Sequence, residues 1–379
     1  MQARLKGQTD SVRFLSVEAE QTADRVREDI MHRISTGVVL GLTAALTLAA
    51  PAQAQQTKVR LNMASTFPGS MVLIGDAAKK LGENVRRVSG GEIEIRFNEP
   101  GALVPAAQSV DAVSQGSVDA AWAGAGWFAG KDSAFNMFSS VPFGPGLGEY
   151  LGWMYYGGGL QTAREMFAKF NVYNIPCALI PPEASGWFRK EIKSVDDLKG
   201  LKMRFFGLGA KVMEKFGVAT QQLPPGEIFQ ALQVGTIDAT EFSLPAIDQR
   251  LGFFQVAKFY YFPGWHQQAT FFDLMINKAK WDALSEQHKA IIESVCGDLV
   301  RDTMAEGEAA QWKAIKEMQE KSGVQIRKWP PEIIKAFDKA WNEVVDEESK
   351  KNPNFKKVWD SYSTFRGGYA VWRDHGYLQ

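Results

Sequence analysis

The chain has 379 residues, and its 43 Lys and Arg are balanced by 43 Asp and Glu, so its formal net charge at pH 7 is zero. That balance excludes the basic excess that a nucleic-acid footprint requires. The length exceeds what one hydrophobic core usually serves, so two lobes are expected.

Residues 1–30 are polar and charged, with six basic and six acidic residues in the first 54, so the remainder is balanced as well. Met31-His32-Arg33 is followed by the apolar run Val38–Ala50 and by Ala52-Gln53-Ala54. A basic start, a short apolar core and an A-x-A site are the pattern of a secretory signal peptide. The run is short for a membrane span, and no later run reaches that length. The expectation is a signal over 31–54, cut after Ala54. Residues 1–30 are then a disordered extension, or lie upstream of a true start at Met31.

Lys58–Ala64 alternates as a strand, and Met71–Val88 reads as a helix. Gly90-Gly91 turns into Glu92–Asn98, whose strict alternation marks a half-exposed strand. Pro105–Ser114 is helical and leads to a strand at Ala120–Ala123. Strand, helix, strand, helix, strand is the order of a parallel sheet with helices on its faces. A helix reaching about Phe170 precedes the extended Val172–Ile180. Pro181-Pro182 then stiffens a crossing between lobes.

Ser194 with Asp197 reads as a helix N-cap. The second lobe follows as a strand (Leu201–Phe206), two helices (Ala210–Phe216 and Gly226–Gln233) and a strand (Ile237–Phe242). Ala269–Ile276 carries the chain back, and Trp281–Lys321 is a long helical pattern able to lie across both lobes. Val324–Trp329 is a short strand, and Pro330-Pro331 opens a final helical region. Val110–Ala120 echoes Phe229–Phe242: Gly116-Ser117-Val118-Asp119-Ala120 aligns with Gly235-Thr236-Ile237-Asp238-Ala239. Two copies of one helix–turn–strand unit point to two similar α/β lobes around a cleft. Asp119 and Asp238 are read as satisfying turn amides.

Several polar residues fall where ligands bind, beyond the carboxyl ends of strands. Arg204 ends one strand, and its guanidinium can grip a carboxylate through two parallel bonds. Glu241 ends another and points where small apolar groups point, so it needs a partner. Gln267 can donate and accept, which suits a keto or hydroxyl oxygen. His266 is a lone histidine. Phe67, Trp122, Trp127, Trp187 and Trp265 are candidate walls. Cys177 and Cys296 sit in apolar surroundings and are read as two buried small side chains, with a disulfide between them left open.

The signal pattern, the two Gly-Ser/Thr-Val/Ile-Asp-Ala turns, Leu198-Lys199-Gly200-Leu201-Lys202-Met203-Arg204 and the long late helix resemble the solute-binding subunits of tripartite ATP-independent periplasmic (TRAP) transporters, the DctP-like family. Gly186-Trp187-Phe188-Arg189-Lys190 and Asp238-Ala239-Thr240-Glu241-Phe242 resemble the branch that binds 2-oxo and 2-hydroxy acids beside a cation. The resemblance implies a two-lobed α/β periplasmic-binding-protein fold, class II-like, with a long helix spanning both lobes. Lobe I takes 55–180 and 270–318, and lobe II takes 181–269 and 319–379.

It also implies periplasmic capture of a small acid such as pyruvate or lactate, and delivery to a small and a large membrane permease subunit. A homodimer through the C-terminal helices follows too. Arg204, Glu183, Gln267, Phe67 and Trp187 are then the substrate residues. Glu241, Phe242 through its carbonyl, Glu183 and Gln267 are the cation ligands, and no residue is catalytic. Where relatives that bind a monovalent cation carry a neutral amide, this chain has Glu183. Two glutamates and an acid guest against one arginine leave two negative charges, so calcium or another divalent ion is expected over sodium, the other escape being a proton retained on one glutamate.

Two other readings compete. An exported α/β enzyme acting on a small organic acid lacks a G-x-S-x-G elbow. His266, His288 and His375 have no metal spacing, and Gly124-x-Gly126 lacks the dinucleotide spacing. A ligand-gated sensor partner is the third reading.

Overall fold

The computed structural model describes residues 58–378. The expected signal peptide and extension lie outside the described residues. Among the described residues no helix is long and apolar enough to cross a membrane.

In chain order the first half runs β1 (Val59–Ser65), α1 (Gly75–Val88), β2 (Ile93–Asn98), α2 (Ser109–Gln115), β3 (Ala120–Ala123), α3 (Leu147–Tyr156), α4 (Gly159–Ala168), β4 (Val172–Ile180) and β5 (Gly186–Phe188). The second lobe continues with β6 (Lys202–Arg204), α5 (Leu208–Glu214), β7 (Ala219–Gln221), α6 (Pro225–Gln233), β8 (Ala239–Thr240), α7 (Pro245–Leu251) and β9 (Phe259–Phe262). The chain ends with β10 (Thr270–Asn277), α8 (Lys278–Asp282), α9 (Glu286–Ser322), β11 (Gln325–Lys328), α10 (Pro331–Lys351) and α11 (Pro353–Gly376).

The strands form two sheets, ordered β2-β1-β3-β10-β4 and β11-β9-β5-β8-β6-β7. In each sheet one strand runs against all the others: β10, between β3 and β4, in the first, and β5, between β9 and β8, in the second. The expected parallel units are present, but each sheet is mixed, because the chain crosses twice between lobes and each return adds an antiparallel strand. The echoed turns occupy equivalent places. Gly116 and Gly235 have φ of 77° and 79°, a region that favours glycine. Asp119 Oδ2 accepts from the Asn62 backbone N–H at 2.8 Å, and Asp238 Oδ2 accepts from that of Lys202 at 3.0 Å. Each aspartate therefore bonds the amide of the neighbouring parallel strand, not an amide of its own turn, and so ties the repeat's last strand to its first.

Local chemistry accounts for the main helices. On α1, Ala77, Ala78, Leu81 and Val85 are buried at helical spacing, while Asp76 in the first turn and Arg86 and Arg87 in the last complement the helix dipole. Ser285 caps α9 by accepting from the His288 N–H, and Gly323 ends it in the left-handed region. This helix packs on β4 and α1 and then on α7, so it joins elements of both sheets. α10 packs on α5, whereas α11 lies against residues 133–138, α3 and α4. The final helix thus rests on elements that follow the first sheet, although the sequence grouped it with the second lobe.

Cys177 and Cys296 form a disulfide that joins β4 to α9 across 119 residues of chain. The pairing that the sequence left open is thereby decided: β4 runs under α9, and the two apolar positions face one another. The Thr303 hydroxyl adds a second tie, accepting from the Leu179 N–H at 3.0 Å.

At the centre of the first sheet, Asp273 is 1% exposed and accepts a 3.2 Å bond from Asn174 Nδ2. One oxygen of each partner, Asp273 Oδ2 and Asn174 Oδ1, has no hydrogen-bond partner. Burial pushes the Asp273 carboxyl up to about 7, against the smaller opposing pull of the Asn174 bond.

Two outcomes follow. Reducing the disulfide, or Cys296→Ser, should lower unfolding free energy by about 2–4 kcal/mol, read from urea titrations with and without reductant. Because the Asp273 carboxyl titrates higher in the folded than in the unfolded state, its contribution is complete below about pH 4 and is lost as pH rises through about 7. Asp273→Asn should therefore gain stability relative to wild type between pH 4 and 8, by on the order of a few kcal/mol, measured as Tm against pH.

Candidate functional site

Both sheets present the carboxyl ends of their parallel strands to one tight cavity of about 30 Å3. Phe67 follows β1 and Trp127 follows β3 from the first sheet. Arg204 ends β6 and Glu241 follows β8 from the second. Glu183, just past the Pro181-Pro182 crossing, and Gln267 and Thr270, on the return, complete the polar end. Phe206, Phe242, Phe272 and Ile74 make most of the remaining wall. That volume is far below the about 300–1,000 Å3 of open small-molecule sites, so the walls stand closed on one another. A wider open hollow of about 630 Å3 between α1 and β2 is lined by the exposed Arg86, Arg87 and Arg96 and gathers no buried titratable group.

Arg204 and Glu241 form a buried ion pair, 3% and 0% exposed. Arg204 Nη1 donates to Glu241 Oε2 at 2.8 Å and to the Glu241 carbonyl at 2.8 Å, and its Nε donates to the Leu223 carbonyl at 3.3 Å. Its other terminal nitrogen, Nη2, has no acceptor among these bonds. The Phe242 ring lies 5.1 Å from the guanidinium carbon, close enough for a cation–π contact. Glu241 Oε2 also accepts from the Phe206 backbone N–H at 2.9 Å, and Oε1 accepts from Gln267 Nε2 at 3.1 Å. Gly186 makes this packing possible. At φ 125° it brings β5 so close to β8 that an added Cβ would stand 2.5 Å from the Thr240 carbonyl.

Glu183 is 3% exposed and less satisfied. Its Oε1 receives a 3.4 Å contact from Thr270 Oγ1, and its Oε2 has no partner. Burial, then the negative charges of Glu241 and Asp248, push its carboxyl well above the usual range, against the pull of Arg204. His266 Nε2 lies 3.5 Å from Glu241 Oε1 and 3.9 Å from Glu183 Oε2, and neither ring nitrogen is hydrogen-bonded. Glu183, Glu241 and His266 each bring one ligand atom to a place where all lie within 4.8 Å of one another. Two buried carboxylates with an orphaned oxygen between them fit a cation. Calcium takes several oxygen ligands in flexible geometry. Gln267 as placed turns its nitrogen to Glu241 and its oxygen to Thr270, so joining a cation's shell requires turning the amide over.

Arg204, Glu183, Glu241, Phe242, Gln267 and Phe67 are therefore brought together, and Trp127 joins the wall. Trp187 lies behind it. Its indole donates to Asp248 Oδ2 at 2.9 Å and stacks on Tyr260 at 3.9 Å, away from the cavity lining. Trp122 and Trp265 are buried elsewhere. His266, Thr270, Phe206, Ser139 and Ser243 reach or adjoin the cavity without having been singled out as ligand residues. Of these only His266 left a sequence signal, as a histidine beside Gln267.

The profile of the bacterial extracellular solute-binding protein family 7, DctP, matches residues 64–352. The monocarboxylate 2-oxoacid-binding periplasmic protein of Nostoc sp. is 34% identical over 340 residues, covering 89% of this chain and 93% of that protein. A TRAP transporter solute-binding protein of Bordetella bronchiseptica, crystallised as a mixed-occupancy dimer with copurified calcium and picolinate, superposes with a TM-score of 0.81. It is 37% identical, over 83% of this chain and 94% of that one. A TRAP periplasmic solute-binding protein of Pseudoalteromonas atlantica, with bound sodium and pyruvate, gives 0.80 at 30% identity over 83% and 96%. A third, from Colwellia psychrerythraea, with bound calcium and pyruvate, gives 0.80 at 29% identity over the same shares.

Arg204→Ala leaves Glu241 buried with its charge uncompensated, so unfolding free energy should fall by about 3–5 kcal/mol in urea titrations. Adding Glu241→Gln to that variant should recover a substantial part of the loss, because the orphaned charge is removed.

Proposed function

The chain belongs to family 7 of the bacterial extracellular solute-binding proteins, and from that premise we propose that it captures a small 2-oxo or 2-hydroxy monocarboxylate, such as pyruvate or lactate, together with a divalent cation. The protein is a TRAP solute-binding protein, of a family that works in transport and in the periplasm. The guest passes to a small and a large membrane permease subunit, and no residue here turns it over. The bodies that close on it are 58–180 with 270–318, on which the final helix α11 rests, and 181–269 with the segment through α10.

Glu183 carries the reading. Arg204 neutralises Glu241, and Glu183, whose carboxyl burial pushes up, becomes a second negative charge beside the acid guest once a bound cation displaces its proton. At ~4 Å, two like charges repel by ~4 kcal/mol at an effective dielectric of 20. A divalent ion cancels them and sodium cancels one, so calcium is favoured, held by Glu183, Glu241, the Phe242 carbonyl and Gln267 after its amide turns. Arg204 Nη2 faces no competing acceptor and grips the carboxylate, and Phe67 supports the guest's apolar side. The calcium reported with picolinate or pyruvate in two relatives supports this choice, and the sodium in another marks its alternative. A homodimer through α11 is supported by its exposed Val371 and Trp372, 67% and 58% accessible.

Purified protein, dialysed and then titrated with pyruvate by calorimetry, should bind with calcium present and lose at least tenfold in affinity after chelation. Elemental analysis should find about one calcium per chain. Glu183→Gln should shift the requirement from calcium towards sodium. Pyruvate and lactate affinities unchanged by chelation, with no metal in the protein, would reject the divalent reading.

A further inference from the structure

Ser139 is a buried hydroxyl that the carboxylate and cation reading does not use. Its backbone is pinned on both sides: the N–H donates to the Asn136 carbonyl at 3.0 Å, and the carbonyl accepts from the Phe271 N–H at 2.9 Å. The side chain is 1% exposed, and its Oγ has no hydrogen-bond partner. It lines the cavity next to Gly124, where an added Cβ would stand 2.9 Å from that oxygen. A buried hydroxyl kept without a protein partner carries a desolvation penalty, which a ligand atom relieves.

Its position matters more than its polarity. Arg204, Glu241 and Ser243 belong to the second sheet's strand ends, Glu183 and Gln267 lie on the crossings, and Thr270 opens β10 of the first sheet. Before the crossing, the cavity wall consists of Phe67, Ile74, Gly124, Trp127 and Ser139. The first sheet also brings the Thr270 hydroxyl to the wall, but that one already bonds Gln267 at 2.9 Å and meets Glu183 at 3.4 Å, so Ser139 is the unengaged hydroxyl of this lobe's lining. A ligand shifts an open–closed equilibrium only by the difference between its contacts in the two forms. A head group held by the second lobe alone is held in both forms, so it cannot favour closure. Contact with Phe67 and Ile74 favours closure without direction, and a bond to Ser139 favours it with direction.

We propose that Ser139 is a ligand-binding residue whose hydroxyl bonds the polar head of the guest from the first lobe, so that an acid gripped by Arg204 is tied to both lobes. This rests on the carboxylate reading above. The chemistry selected is a compact monocarboxylate with an oxygen or nitrogen beside the carboxylate. A serine hydroxyl can donate or accept there. Arg204 is the one basic side chain on the lining, so a second carboxylate finds no partner.

The test uses the calcium-loaded protein and pyruvate as the probe. Ser139→Ala should weaken pyruvate about tenfold, while calcium affinity and Tm measured without pyruvate stay at wild-type values. Gly124→Ala, which drives a methyl against the hydroxyl, should give the same selective loss and serves if the first variant folds poorly. Unchanged pyruvate affinity in both variants overturns the role of Ser139 and leaves the carboxylate reading standing. Failure of wild-type protein to bind pyruvate, lactate or picolinate removes that reading and this one with it.

Discussion

The buried pair of Arg204 and Glu241 is the constraint around which the site is built. Taking both charges from water is costly, and their mutual attraction offsets the cost only where geometry is good and the remaining polar atoms are bonded. Here the guanidinium meets a side-chain oxygen, the Glu241 carbonyl and the Leu223 carbonyl, while the carboxylate meets the Phe206 amide and the Gln267 amide. Strands β6 and β8 must end side by side for this to happen, and β5 must crowd against them through Gly186. Glu183 has no such partner. The asymmetry between the two glutamates is what gives the site its appetite for positive charge.

The repeated topology explains how two lobes of unlike sequence come to face each other. In each sheet a strand–helix–strand–helix–strand unit ends at a Gly-Ser/Thr turn, and an aspartate after that turn ties the third strand to the first. Both units point their carboxyl ends at the same cavity. The first unit supplies mainly apolar wall and the second supplies charge. The disulfide and the Thr303 bond fasten α9 to β4, so the early part of that long helix moves with the first lobe.

Much of this was legible in the residues. The alternation at 92–98, the helical spacing of α1 and α9 and the two matching turns gave the sheet units and the long helix. Arg204 and Glu241 were readable because they end strands in a parallel arrangement, where ligands bind. Strands β5, β7 and β9 were not readable: three or four residues show no period, β5 and β9 stand outside the strand–helix–strand order that pointed to β3 and β6, and β7 was hidden between two helices read in succession. Trp187 was misplaced because an aromatic on a strand looks the same whether it faces a ligand or a buried aspartate. Ser139 and Thr270 left no sign, because a loop hydroxyl becomes informative only when its neighbours in space are known. The cysteine pair was open for the same reason: 119 residues of intervening chain carry no record of proximity.

One side chain described above has two employments. The Phe206 amide holds Glu241 from beneath, while its ring lies 5.9 Å from Trp127 and closes over Gly126, where an added Cβ would come within 2.5 Å of it. One residue thus belongs to the charged floor through its backbone and to the apolar wall through its ring. The ring can turn about its own side-chain bonds without moving the amide. The wall is therefore free to adapt while the carboxylate beneath it stays fixed.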